Sequence, residues 1–338
     1  MGSKPMLDED IPWVSMVGDF LKFIVLPSTL LMTIAYVQVA YFAPEPYAGV
    51  KLQQGVQYVS ARRFETHGLE ALNAVGDKVE AKTWVAPSVD RGARSAATIL
   101  IHGYNAQDAK VATYFVDFAE ALRDSPDRSG PLIVFDWPAV AVPHDELPTS
   151  DRVRRDMYGY TKNTWSQPAY EFNMYKIDQR QAGSVGATAF VALLASLTER
   201  PDTTVHVIAH SMGCYVLARA MQQQPAAFSR VAAMVWLAPD VDATVVGEPW
   251  FRDVVGQLRT GLFVQYSRND ATLALLSRLA NGVARLGEIG RNAGGATIPK
   301  LEYIDMTAEL GSDDVHGGYL RKGSPSLPLI AKQLVRLP

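Results

Sequence analysis

Cysteine is nearly absent: Cys214 is the single one in 338 residues. That excludes an intramolecular disulfide framework and any cysteine-rich zinc or iron–sulfur centre. No basic run occurs either, and 32 Lys and Arg against 35 Asp and Glu leave a formal charge of −3, so the electrostatic footprint of a nucleic-acid partner is missing. Histidines and carboxylates do not recur at metal-ligand spacing, which argues against a metallohydrolase, and no internal repeat is found.

One stretch lacks charge altogether. "FIVLPSTLLMTIAYVQVAYFA", residues 23–43, runs 21 residues without an ionisable acid or base, enough at helical rise to cross a hydrocarbon core of about 30 Å. A retained membrane anchor is the expectation; a cleaved signal peptide and a buried helix are the alternatives. Asp8, Glu9, Asp10 and Asp19 before the span, and the lack of a small-x-small site at its end, favour retention. The chain is thus divided into a polar tail 1–22, a span 23–43, a linker 44–54 beginning "PEPYAGV", and a catalytic domain 55–338.

The domain alternates two periods. "RRFETHGLEALNAV" and "KVEAKTWVAPS" flank Gly76 and Asp77 as a hairpin. Then "SAATILIHG", "PLIVFDW", "TTVHVIA", "RVAAMVWLA", "GLFVQYS" and "LEYIDMT" read as strands. Between them "AKVATYFVDFAEALRDS", "SVGATAFVALLASLTER", "SMGCYVLARAMQQQ" and "ATLALLSRLANGVARL" read as helices. Strands so continuously apolar, joined through helices, imply a mostly parallel sheet of about eight strands covered on both faces.

In such a sheet chemistry belongs at the carboxyl ends of the strands. "VHVIAHSMGCYVLARAM" switches from strand to helix around Ser211, and "AHSMG" approximates the G-x-S-x-G elbow, with Ala209 and Gly213 as its two small residues. A serine that merely caps the following helix is the competing reading. A nucleophile also needs a base, the base an orienting carboxylate, and the oxyanion two N–H donors. His316 in "DDVHGGY" follows the last strand and is the expected base. Asp270 in "RND" follows "GLFVQYS" and is the expected acid; Asp240 or Asp242 in "APDVD" is the alternative, and Asp313 and Asp314 share the base's own loop. The order Ser211, Asp270, His316 is that of an α/β-hydrolase. "HGYN" at 102–105 offers an oxyanion loop, with the backbone N–H groups of Tyr104 and Met212 as donors and Asn105 next in line. His102 reads as shaping that loop, His210 as structural, and His67, His144 and His206 stand alone. Cys214 reads as a small buried hydrophobe.

"ILIHGYN", "FDWPA", Tyr175, Asp178 and Ala182, "VIAHSMG", "LAPDVD" and "YSRNDATLALLSRLANGVARLGEIG" together resemble the bacterial alpha/beta hydrolases of unknown function, over roughly 96–320. The resemblance implies a serine-hydrolase fold with the same three catalytic residues and brings no substrate. Residues 139–174 stand out as an insertion. "RVRRDMYGYTKNTWSQPAYEFNMY" within it reads either as a lid with aromatic walls or as a surface excursion burying its own aromatics. The expectation is a serine esterase that needs no cofactor and acts on a small-molecule or lipid-like ester. It would be held at a bacterial inner membrane with its catalytic domain in the periplasm. An acyltransferase, or a silent scaffold of the same fold, is the alternative.

Overall fold

A computed structural model describes residues 52–75, 78–86, 96–104, 116–123, 130–139, 167–199, 203–290, 297–313 and 315–335. The candidate span 23–43 lies outside the described residues. So do the tail, most of the linker, Asn105, His144, and residues 140–166 of the insertion.

The described sheet belongs to the compact unit formed by residues 45–142 and 171–338. Its strands are β1 (Val56–Ser60), β2 (Glu70–Val75), β3 (Lys78–Thr83), β4 (Ala96–Ile101), β5 (Leu132–Asp136), β6 (Thr204–His210), β7 (Val231–Leu237), β8 (Gly261–Tyr266) and β9 (Leu301–Asp305). They lie in the order β3-β2-β1-β5-β4-β6-β7-β8-β9. From β1 to β9 every neighbouring pair is parallel, whereas β2 pairs antiparallel with both β1 and β3. Val75 pairs with Lys78 at the end of the β2–β3 ladder, and Gly76 and Asp77, expected as the turn between them, lie outside the described residues.

One strand beyond the expected eight is present. β1, "VQYVS", is short, and Gln57, Tyr58 and Ser60 interrupt its apolar character, so periodicity alone does not mark it. It joins the hairpin to the parallel sheet through β5.

Alternation along each strand divides the core between the two faces. Ile133, Phe135, Val207, Ala209, Met234 and Trp236 face one cluster, which includes Phe190, Leu193, Val216, Leu217, Phe251 and Val254. These come from three helices: α3 (Ala187–Thr198), α4 (Met212–Gln223) and α5 (Pro249–Gln257). Leu132, Val134, Ile208, Val235 and Leu237 face the other cluster, with Phe118, Leu122 and Ile330. Those belong to α1 (Val116–Arg123) and α6 (Ser326–Val335).

A helix α2 (Gln167–Gln181) passes through a π turn at Ala182–Gly186 straight into α3. Its first turns take up the last eight residues of the insertion. Met174–Thr198 is long and apolar enough to cross a membrane, yet Phe190, Leu193 and Leu197 are buried in the core cluster. It packs as the crossover helix of the sheet.

The helix expected over "ATLALLSRLANGVARL" is shorter than its pattern. A π turn (Thr272–Ser277) and one helical turn (Arg278–Asn281) end at Gly282, whose φ of 72° supplies a left-handed cap. Beyond it the chain turns back so that Arg285 bridges Asp242 and reaches Asp240.

Candidate active site

β4 and β6 are neighbours whose onward connections run in opposite directions along the sheet, from β4 to β5 and from β6 to β7. Such a switch point opens a crevice at the strands' carboxyl ends. Ser211 occupies it. Its φ of 54° and ψ of −122° turn the chain abruptly from β6 into α4, a backbone that a side chain adopts only under strain. The turn tolerates little bulk around it. A Cβ on Gly213 would stand 2.5 Å from the His102 carbonyl oxygen, and one on Gly103 would stand 2.8 Å from the Ser211 Cβ. Ala209, buried in β6, fills the place of the usual first glycine without obstruction.

Three strand ends meet at this serine. The Ser211 hydroxyl donates to His316 Nε2 at 2.9 Å, and His316 Nδ1 donates to Asp270 Oδ2 at 2.7 Å. With the proton on Nδ1, the neutral ring keeps Nε2 as an acceptor. Asp270 is fully buried, and its second oxygen accepts the Leu273 amide at 3.0 Å, which ties the carboxylate to the turn that follows it. Met212 opens α4, so its N–H is one of the helix's amino-terminal donors, which have no partner within the helix. Tyr104 lines the same cleft from the β4 loop.

The two alternative acids are engaged elsewhere. Asp240 accepts Arg285 Nε at 2.8 Å, Tyr175 Oη at 2.9 Å and the Ser277 hydroxyl. Asp242 caps the turn at Ala243–Gly247 by accepting from the Thr244 amide at 2.9 Å.

A family model of alpha/beta hydrolases of unknown function (DUF900) matches residues 77–334. This chain belongs to that family. No curated protein matches it in sequence. Three solved structures share 12% identity with it. A cutinase-like protein from Cryptococcus sp. covers 71% of this chain and 93% of its own, with a TM-score of 0.36. For the carboxylesterase CesB (YbfK) from Bacillus subtilis the figures are 91%, 98% and 0.35. For a putative yden-like hydrolase from Pectobacterium atrosepticum they are 72%, 94% and 0.30.

Two further groups support the crevice of this alpha/beta hydrolase. His210 sits against the base: its Nε2 donates to the His316 backbone carbonyl at 2.8 Å, and the rings lie 4.9 Å apart. Expected from the sequence to be structural, His210 meets His316 because the loop carrying His316 returns over the elbow. His102 is fully buried, stacked on Trp137 with its Nε2 3.3 Å from Asp136. Arg62 clamps the same carboxylate from Nε at 2.7 Å and Nη2 at 2.8 Å. Burial alone would raise the Asp136 pKa; Arg62 and His102 outweigh it and hold the carboxyl well below the ordinary range. Since the His102 carbonyl also accepts Trp137 Nε1 at 2.8 Å, the loop leading to Tyr104 is fixed from below, as the reading of His102 required. His67 bonds Thr66, and His206 lies within β6; neither lines the cleft. Cys214 is fully buried with its thiol donating to the Ala209 carbonyl at 3.2 Å, and burial pushes its pKa well up.

Proposed function

We propose that this chain is a membrane-anchored serine hydrolase that cleaves carboxylic esters through an acyl-enzyme at Ser211. The observation that carries the reading is the continuous pair of hydrogen bonds from Ser211 to His316 to Asp270, at 2.9 and 2.7 Å.

In the proposed cycle Ser211 Oγ attacks the ester carbonyl while its proton passes to His316 Nε2. Asp270 stays ionised and stabilises the imidazolium. Charge gathers on the carbonyl oxygen, where the N–H groups of Met212 and Tyr104 receive it. His316 returns the proton to the departing alcohol, and the first product leaves. Water then attacks the acyl carbonyl and gives its proton to the same nitrogen; the bond from Ser211 Oγ to the acyl carbon breaks, His316 returns that proton to Ser211 Oγ, and the acid leaves. Each step uses groups already on the chain, so no cofactor or metal is called for. The charge-free span 23–43 supports an anchor, which would keep the domain on the periplasmic side of a bacterial inner membrane and near lipid-like esters.

A fluorophosphonate probe tests the reading. We expect one covalent adduct per chain in the wild type and none in Ser211→Ala, read by intact mass. Folded wild type that takes up no probe would favour the silent scaffold. Turnover of short acyl esters but not of matching amides separates esterase from peptidase. Product formed only with an added alcohol acceptor would identify an acyltransferase.

A further inference from the structure

A cavity of about 90 Å³ opens beside Ser211. Among the described residues its apolar lining is Tyr104, Tyr175, Leu273 and Leu276, and Asp240 and Ser277 line it as well. From these walls we infer that the acyl part of the substrate is short, about two to four carbons, with Tyr175 and Leu276 setting the limit. The inference rests on the serine-hydrolase reading above.

Volume sets the scale. An apolar protein cavity of about 150 Å³ takes up benzene, with its six carbons; in proportion, 90 Å³ accepts roughly four. The far wall is held too firmly to retreat. Tyr175 is buried in the core cluster, its ring 5.6 Å from that of Tyr104. Its hydroxyl donates to Asp240 at 2.9 Å, accepts from Asn281 Nδ2 at 2.8 Å and lies 2.9 Å from the Ser277 hydroxyl. Asp240 in turn is fixed by Arg285, through Nε to the carboxylate at 2.8 Å and through Nη2 to its backbone carbonyl at 2.7 Å. To admit a longer chain the pocket would have to break several buried hydrogen bonds at once, each leaving a polar atom without a partner. The wall also ties back to the nucleophile, since the Asp240 amide donates to the Ser211 carbonyl at 3.1 Å. Leu276, half-buried on the π turn, takes no part in this network.

The test is kcat/KM of the full-length protein for p-nitrophenyl esters from acetate to dodecanoate, each preparation normalised by fluorophosphonate titration of Ser211. We expect a maximum between acetate and butanoate and at least a tenfold fall by octanoate. Leu276→Ala should move the maximum to longer chains, and Leu276→Phe should depress butanoate relative to acetate, so either variant alone reads the wall if the other fails to fold. Wild type that titrates fully yet prefers octanoate or longer, or acylates with none of the short esters, would overturn the inference and leave the hydrolase reading standing. An unchanged chain-length profile in a fully titrating variant would overturn it equally. Absence of labelling in folded wild type would remove the hydrolase reading itself.

Discussion

His210 Nε2 lies 2.8 Å from the backbone oxygen of His316 and donates to it, tying the residue before the proposed nucleophile to the residue proposed as its base. The elbow and the loop at Val315–Gly318 come from strand ends far apart in the chain, and this bond fixes one against the other. It is a second tether on His316, beside the hydrogen bond to Asp270. His210→Ala should therefore lower kcat by on the order of 10²-fold, the scale of a small misplacement of reacting groups, with little change in KM. His210→Gln, whose amide can donate in the same place, should restore most of the loss. Equal loss of kcat in both variants would count against a positioning role.

Asp270 and Asp240 differ in what they hold, and so should their variants. Asp270→Asn keeps the shape of the site but presents the wrong hydrogen-bonding pattern to His316 Nδ1, so kcat should fall by about 10⁴-fold with the melting temperature nearly unchanged. Asp240→Asn leaves Arg285 buried without its counter-charge, and removal of one partner of such a pair costs about 3–5 kcal/mol. Its signature is a loss of stability in thermal or urea unfolding. If Asp240→Asn were stable and catalytically dead while Asp270→Asn stayed active, the acid would have to be reassigned.

The elbow was legible in the sequence because it is a local, steric device: a strand, a serine and small residues around it follow one another within a few positions. Asp270 and His316 could be found because parallel strands deliver their carboxyl ends to one edge, so each strand end is a candidate. Other features were not written locally. Arg285 reaches Asp240 across 45 positions only because Gly282 stops a helix that the apolar pattern would have continued. β1 is too short and too polar to announce itself, and what makes it a strand is its pairing with β5. His210 looks inert until the His316 loop is seen to return over it.

The span 23–43 predicts that full-length protein sediments with membranes and resists extraction by salt and alkaline carbonate. Charged residues near the centre of a spanning helix each cost about 2.5–3.5 kcal/mol on insertion scales. Leu31→Arg combined with Ile34→Asp should therefore shift the protein into the soluble fraction. Protease added to spheroplasts should reach the catalytic domain if it faces the periplasm. Wild-type protein found wholly in the soluble fraction at full mass would rule out a retained anchor.

Acid stability gives a last, independent handle on the fold. His206 sits within β6, where burial, helped by the nearby Arg259 charge, lowers its pKa from 6.5 to about 4. Between those values the unfolded chain takes up a proton that the folded chain refuses, so stability must fall as pH drops from about 6.5 toward 4 and level off below. The loss can reach roughly 3 kcal/mol, from 1.36 kcal/mol per pKa unit. Asp136, whose folded pKa is also depressed, loses its contribution in a separate window below 3.8. His206→Gln should flatten the urea-midpoint profile between pH 6.5 and 4 and leave the steeper fall at lower pH in place. A profile that kept its slope in that variant would mean that the proton is taken up elsewhere.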